Sequence, residues 1–221
     1  METYVWYGKD RFDESLFKEK VIIPNVYYNG STKPKFKNLF WACDTNASNN
    51  TVDWKRFCED ELFRLDSFEY FKKFTLSNDT KILTINSYDD IYKFYKEYSK
   101  LPEDILYDLE ILCNLCKRYN DIFSPDYKKN LSKAESERTS ERILDLLSKL
   151  ESHIWDLESL DLVNWNKIMD EYDAMELHHF DYMVVHSLFN LWDCDSICIW
   201  NKDKVILLEG GIHVKNPVWY K

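Results

Sequence analysis

Glycine and proline are scarce in this chain, with 4 and 5 among 221 residues. Long flexible linkers are therefore not expected, and the sequence holds no Gly-rich loop of the kind that cradles phosphates. Long apolar runs are also missing. None approaches the roughly 20 residues of a membrane-crossing helix, so no membrane association is expected. The opening stretch "METYVWYGKDRF" has neither the basic start nor the apolar core of a signal peptide, and a cytoplasmic location is the expectation. Positive charge is short as well: 29 Lys and Arg stand against 39 Asp and Glu, a net charge of −10. A broad cationic surface for direct nucleic-acid binding is thus not expected, and a basic partner suits the chain better. Six cysteines are present, at 43, 58, 113, 116, 194 and 198. Without a secretory signal they are expected to be reduced. Cys113 and Cys116 have the spacing of half a zinc site, but no second such pair follows. They sit in an apolar helical pattern and are expected to be small buried hydrophobes rather than metal ligands.

What the chain has in quantity is apolar and aromatic matter, 45% and 16% of its residues, enough for one sizeable core. Strand-like composition occurs at residues 3–7 "TYVWY", 39–43 "LFWAC", 70–77 "YFKKFTLS" and 81–86 "KILTIN", the last two separated by the turn residues "NDT". It returns late, at 172–179 "YDAMELHH", 196–201 "SICIWN" and 204–208 "KVILL". Residues 181–190 fit helix or strand. A stretch at 12–28 is apolar and aromatic but broken at Pro24, and residues 29–38 and 44–51 are polar loops. A helix is expected from near Asp53, with Trp54, Phe57, Cys58 and Leu62 at helical spacing. Another is expected over 87–98, capped by Ser87 with Asp90 three residues on. From 101 to 165 the pattern is helical. "EDILYDLEILCNLCKRY" is amphipathic, and Ile143, Leu147, Leu150, Ile154 and Leu157 form one stripe after a polar stretch at 124–140. Strands at both ends with helices between them predict an α+β fold. The chain reads as a single domain, 1–221, with a helical insertion or subdomain over 101–165.

The candidate chemistry begins at "WDCDSICIWN", residues 192–201. Side chains alternate along a strand, so Asp193, Asp195, Ile197 and Ile199 share one face if the strand reaches back that far. Two carboxylates there could position a hydroxyl, stabilise a cationic transition state or bind a divalent ion, and they could equally serve a turn. Aromatics stand beside small residues at two earlier strand ends, Trp6 and Tyr7 before Gly8, and Phe40 and Trp41 before Ala42 and Cys43. Such pairs suit stacking on a planar ligand or plain core packing. The histidines form no HExxH motif. His178 and His179 are adjacent and point apart on a strand, and ordinary surface or structural roles are expected for them.

Together, "WYG" (6–8), "LFWACD" (39–44) and "WDCDSICIW" (192–200) resemble the three motifs of ADP-ribosyltransferases. In that family a first strand bears "YH" or "RG"-like residues before a turn. A second carries an aromatic followed by small residues, and a late strand opens on an acid. The layout is similar to phage and bacterial mono-ADP-ribosyltransferases and to phage anti-CRISPR proteins of that fold, and it covers the two ends of the chain. The resemblance implies an ADP-ribosyltransferase-like split β-sandwich with the central helices inserted. It also implies NAD as a substrate and a protein target, a host defence or metabolic protein if the chain is phage-encoded and acts in the host cytoplasm. Asp195 would be the catalytic acid and Asp193 the upstream acid that helps choose the acceptor. Tyr7 would stand where the family has histidine, followed by Gly8. Trp41, Ala42 and Cys43 would line the NAD site, with Cys43 where serine is common. Against this enzyme stands a non-catalytic alternative, an acidic inhibitor on the same scaffold that grips a basic partner through its central helices.

Overall fold

The computed structural model describes residues 2–14, 40–44, 58, 68–123, 133–156, 162–178, 180–189 and 195–212. The expectations for 15–39, for the helix near Asp53 apart from Cys58, for Asp193 and for His179 lie outside these. The fold is α+β: seven strands form one sheet, and five helices accompany it among the described residues. The strands are β1 (Tyr4–Gly8), β2 (Phe40–Asp44), β3 (Tyr70–Leu76), β4 (Ile82–Ile85), β5 (Ala174–Leu177), β6 (Ser196–Ile199) and β7 (Val205–Ile212). Their order across the sheet is β4-β5-β6-β2-β1-β3-β7. The chain divides into two compact units: Met1–Thr84, Ile168–Phe180 and Leu191–Lys221 form a sheet unit, and Ile85–Lys167 with Asp181–Asn190 form a helical unit. The helical segment expected over 101–165 lies inside the second, which starts earlier and also takes in a late segment.

In the sheet unit the register sorts the side chains into two faces. Tyr4, Phe40, Ala42, Phe74, Leu76, Ala174, Ile197 and Ile199 pack into one buried cluster, with Trp6, Phe12, Ile82, Val205 and Leu207 against it. Val5 and Cys43 face the other way, with Tyr7 and Phe71 packed on them. The strands "YFKKFTL" and "ILTI" are both present, but the turn between them does not make a hairpin. β3 sits near one edge, and β4 is the opposite edge strand. Their separation of five strand positions would be about 24 Å in a flat sheet. The six residue steps from Leu76 to Ile82 span at most ~21 Å, and a turn consumes part of that. The sheet is therefore curled, which is how Ile82 and Val205, from opposite edges, reach the same core. Hydrogen bonds close the seam. Ser77 N donates to Lys204 O (2.9 Å), and Lys81 N donates to an Asp173 carboxylate oxygen (2.9 Å). The Asn201 side chain donates to the other oxygen of the same carboxylate (2.5 Å).

In the helical unit, α1 (Tyr88–Tyr98) begins as its sequence predicts. Ser87 Oγ accepts from Asp90 N (3.2 Å) and donates to the Asp90 carboxylate (2.6 Å). α1 buries Tyr88, Ile91, Phe94, Tyr95 and Tyr98. α2 (Glu103–Phe123) buries Ile105, Leu109, Leu112, Cys113 and Cys116. Burial pushes both thiols up to about 12, so they remain protonated. α3 (Lys133–Asp156) starts inside the stretch expected to be a polar connection, and its stripe buries Ile143, Leu147 and Leu150. α4 (Trp165–Glu171) straddles the division, with its first three residues in the helical unit and the rest in the sheet unit. The ambiguous segment at 181–190 becomes α5 (Tyr182–Leu188), capped by Asp181, whose carboxylate accepts from Val184 N (3.2 Å). Tyr95, fully buried, donates its hydroxyl to Leu188 O (2.5 Å). No helix among the described residues is long and apolar enough to cross a membrane.

Candidate functional site

The strands carrying the three motif stretches are neighbours in the order β6-β2-β1. β2 pairs antiparallel with both: Ala42 lies opposite Ile197, and Cys43 lies opposite Val5. β5 closes on the other side of β6, with Glu176 opposite Ile197 and Leu177 opposite Ser196. One further step of that register sets His178 beside Asp195.

Asp195 lies at the head of β6 and is 2% exposed. Glu176 is 5% exposed, and His178 is the more accessible member at 28%. The imidazole bridges the two carboxylates, with Nδ1 3.8 Å from an Asp195 oxygen and Nε2 3.4 Å from a Glu176 oxygen. Glu176 also accepts from the Tyr4 hydroxyl (3.0 Å), and that hydroxyl lies 3.1 Å from the exposed Glu2 carboxylate. A phenol has one proton, so the two carboxylates compete for it. The Asp195 carboxylate first, and Glu176 second, hold the His178 imidazolium up to about 10 against the opposing effect of burial. His178 is therefore a cation at neutral pH. Burial, then the Glu176 and Glu2 charges, drive the Tyr4 hydroxyl well above its usual range. A buried carboxylate is costly unless paired, and here one cation serves two.

The residues expected to form an NAD site divide between the faces. Ala42 lies on the Asp195 side, in the core beside Ile197. Gly8 ends β1 on that side too, under Trp6, where a Cβ would fall inside the indole. Tyr7 is on the opposite face, ring-to-ring with Phe68 (5.3 Å between centroids) and packed with Val5 and Cys43. Trp41 lies opposite Cys198, which alternation places on the Cys43 face. Tyr7 is also displaced along the strand. The pairing sets Tyr4, not Tyr7, level with Asp195, so Tyr7 lies about 10 Å further along β1.

Sequence reasoning missed Tyr4, Glu176 and His178. His178, for which an ordinary surface or structural role is expected, bridges two buried carboxylates. One signal was present in "ELH": on a strand, Glu176 and His178 share a face. The other half, the pairing of that segment with "DSI", is not written locally. Among the described residues no three His, Cys, Asp or Glu side chains are grouped to hold a metal ion. No protein-family model matches the chain, and neither a curated protein nor a solved structure does.

Proposed function

We propose that the chain is a mono-ADP-ribosyltransferase that transfers ADP-ribose from NAD to a partner protein on an ADP-ribosyltransferase-like scaffold, with Asp195 as its acid. The adjacency of β6, β2 and β1 carries this reading. Three stretches far apart in sequence become side-by-side strands, and the late one opens on a buried carboxylate with its charge partner already in place. The curled sheet, with both edges on one core, suits a split-sandwich scaffold. The chemistry needs such a group. As the nicotinamide leaves with the bonding electron pair, positive charge develops on the ribose, and a carboxylate fixed beforehand stabilises it without reorganising. The acceptor side chain then attacks the anomeric carbon and loses its proton. If the chain is phage-encoded, the resemblance in layout to phage proteins of that fold suits a host defence or metabolic protein as the target.

The two faces give the test its form. Labelled NAD is incubated with the protein and host lysate. Incorporation into a discrete protein band that is lost in Asp195→Asn supports the reading, and no incorporation by the folded wild type overturns it. On the Asp195 face the aromatic nearest the strand end is Trp6, so Trp6→Leu lowers incorporation while Trp41→Leu leaves it. The reverse pattern puts the nicotinamide on the Tyr7 and Cys43 face and removes Asp195 from the chemistry.

A second reading, a non-catalytic protein that holds a basic partner, rests on the helical unit. That unit carries 18 acidic against 12 basic side chains and exposes Tyr107 and Leu144. Capture of a partner that survives NAD depletion and Asp195→Asn, but not replacement of residues 101–165, favours it over the enzyme.

A further inference from the structure

We propose that His178 is a positioning residue for Asp195, the central member of a charge ladder that runs from Tyr4 through Glu176 and His178 to the head of β6. The role as positioner of a catalytic acid rests on the transferase reading; the ladder itself does not. Asp195 lies at a bend one residue before β6, outside the regular strand. His178 reaches its carboxylate from just beyond the end of β5, where Leu177 is still paired to Ser196. The imidazole in turn is oriented because its second nitrogen faces Glu176, and Glu176 is oriented by the Tyr4 hydroxyl. Each group in this ladder faces the next, with Tyr4 on β1, Glu176 on β5, and His178 and Asp195 just outside the ends of β5 and β6.

Among the described residues the titratable groups around His178 are Glu176 on β5, Asp195 just before β6, and Tyr4 with Glu2 behind Glu176, and the register sets Asp44 of β2 level with Asp195. On the other side of β5, β4 offers Ile82, Leu83, Thr84 and Ile85, none of which titrates. Two buried carboxylates without the imidazolium would repel one another and require water or a shared proton. With it, the trio Glu176, His178 and Asp195 keeps a net negative charge, the sign a cationic transition state requires. Loss of the imidazolium thus disturbs the acid without touching substrate.

The test uses the full chain and two independent readouts. The first is the ring titration of His178 by NMR, assigned with His178→Gln. The expected midpoint lies far above that of a free imidazole, and it falls in Asp195→Asn and, by less, in Glu176→Gln. A wild-type midpoint at the ordinary value, or one unmoved by both variants, overturns the ladder whatever the activity. The second is ADP-ribose transfer. His178→Gln is expected to lower kcat roughly a hundredfold with little change in KM for NAD, the size expected when a reacting group is misplaced by about an ångström. His178→Lys, which keeps the charge, is expected to recover part of the loss. An active enzyme indifferent to His178→Gln overturns the positioning role. A high, variant-sensitive midpoint in a protein that transfers nothing supports the ladder while sinking the transferase.

Discussion

In the sheet unit a tyrosine, two carboxylates and an imidazolium are drawn into the edge of an apolar core, and among the described residues both buried carboxylate side chains are there. In the helical unit the buried positions of α1, α2 and α3 are aromatic, aliphatic or cysteine. Among the described residues its carboxylates are exposed or half-buried, and Asp89 meets Lys117, Asp108 meets Lys149 and Glu97 meets Lys167. One unit follows the usual rule for partitioning charge, and the other departs from it at one place. Such departures cost stability and concentrate where chemistry is done. The contrast locates the candidate site without reference to any family.

The largest effects fall where the units behave alike. Phe74 and Leu150 are fully buried, one in each core. Phe74→Ala is expected to cost about 3–5 kcal/mol and Leu150→Ala about 2–5 kcal/mol, read from urea unfolding. A cost under about 1 kcal/mol at Phe74 would show that the curled sheet does not enclose a common core.

The next effect separates the units. Glu176→Ala leaves His178 and Tyr4 short of a partner and is expected to cost about 2–4 kcal/mol, less than a wholly buried pair because the imidazole is partly exposed. Replacing the ladder entirely, with Glu176→Met, His178→Leu and Asp195→Leu together, is expected to restore most of that loss, since apolar residues of similar volume often replace buried ion pairs without penalty. Transfer activity would stay absent. A triple variant as unstable as the single one would mean that the ladder serves the fold and not the function.

The pH dependence follows from the sign of the His178 shift. Its folded value, about 10, lies above the free value of 6.5, so the folded protein binds the proton more tightly. The resulting stability is fully present below pH 6.5, declines between 6.5 and about 10, and is gone above that. Subtracting the Tm of His178→Gln from that of the wild type across pH 6–11 isolates this contribution. A difference independent of pH would show that the imidazole is neutral in the native state.

The two units also differ in how legible they were. The helices are periodic within themselves. The stripe at Ile143, Leu147 and Leu150 and the Ser87–Asp90 cap are local statements, and the structure repeats them. The start of α3 escaped, because "KAESERTS" carries no apolar period, although its Ala, Glu, Lys and Arg favour helix, and the short helix α4 escaped too. For the sheet, strand composition found each strand but not its neighbours. The turn residues "NDT" separate β3 and β4 in sequence, yet five strand positions separate them in the sheet, with β4 at one edge and β3 next to the other. The acid at 195 was legible from alternation. Its partners were not, because His178 and Asp195 meet only through an antiparallel register between segments about twenty residues apart.

The smaller predictions lie in the helical unit, away from the ladder. Ser87→Ala removes the acceptor for Asp90 N and is expected to cost about 1 kcal/mol, with transfer activity unchanged. Smallest of all is Lys149→Ala. Its ammonium meets Asp108, which raises the affinity of the lysine for its proton, yet the lysine itself stands in solvent. Water and salt already solvate a lysine placed so, and freeing a long side chain returns entropy that offsets the lost attraction. The Tm of Lys149→Ala should match the wild type in 0.15 M salt and fall slightly, if at all, at low salt. A salt-insensitive drop as large as that of Glu176→Ala would mean that the helical unit, too, relies on a charge it has set aside from water, and the contrast between the units would fail.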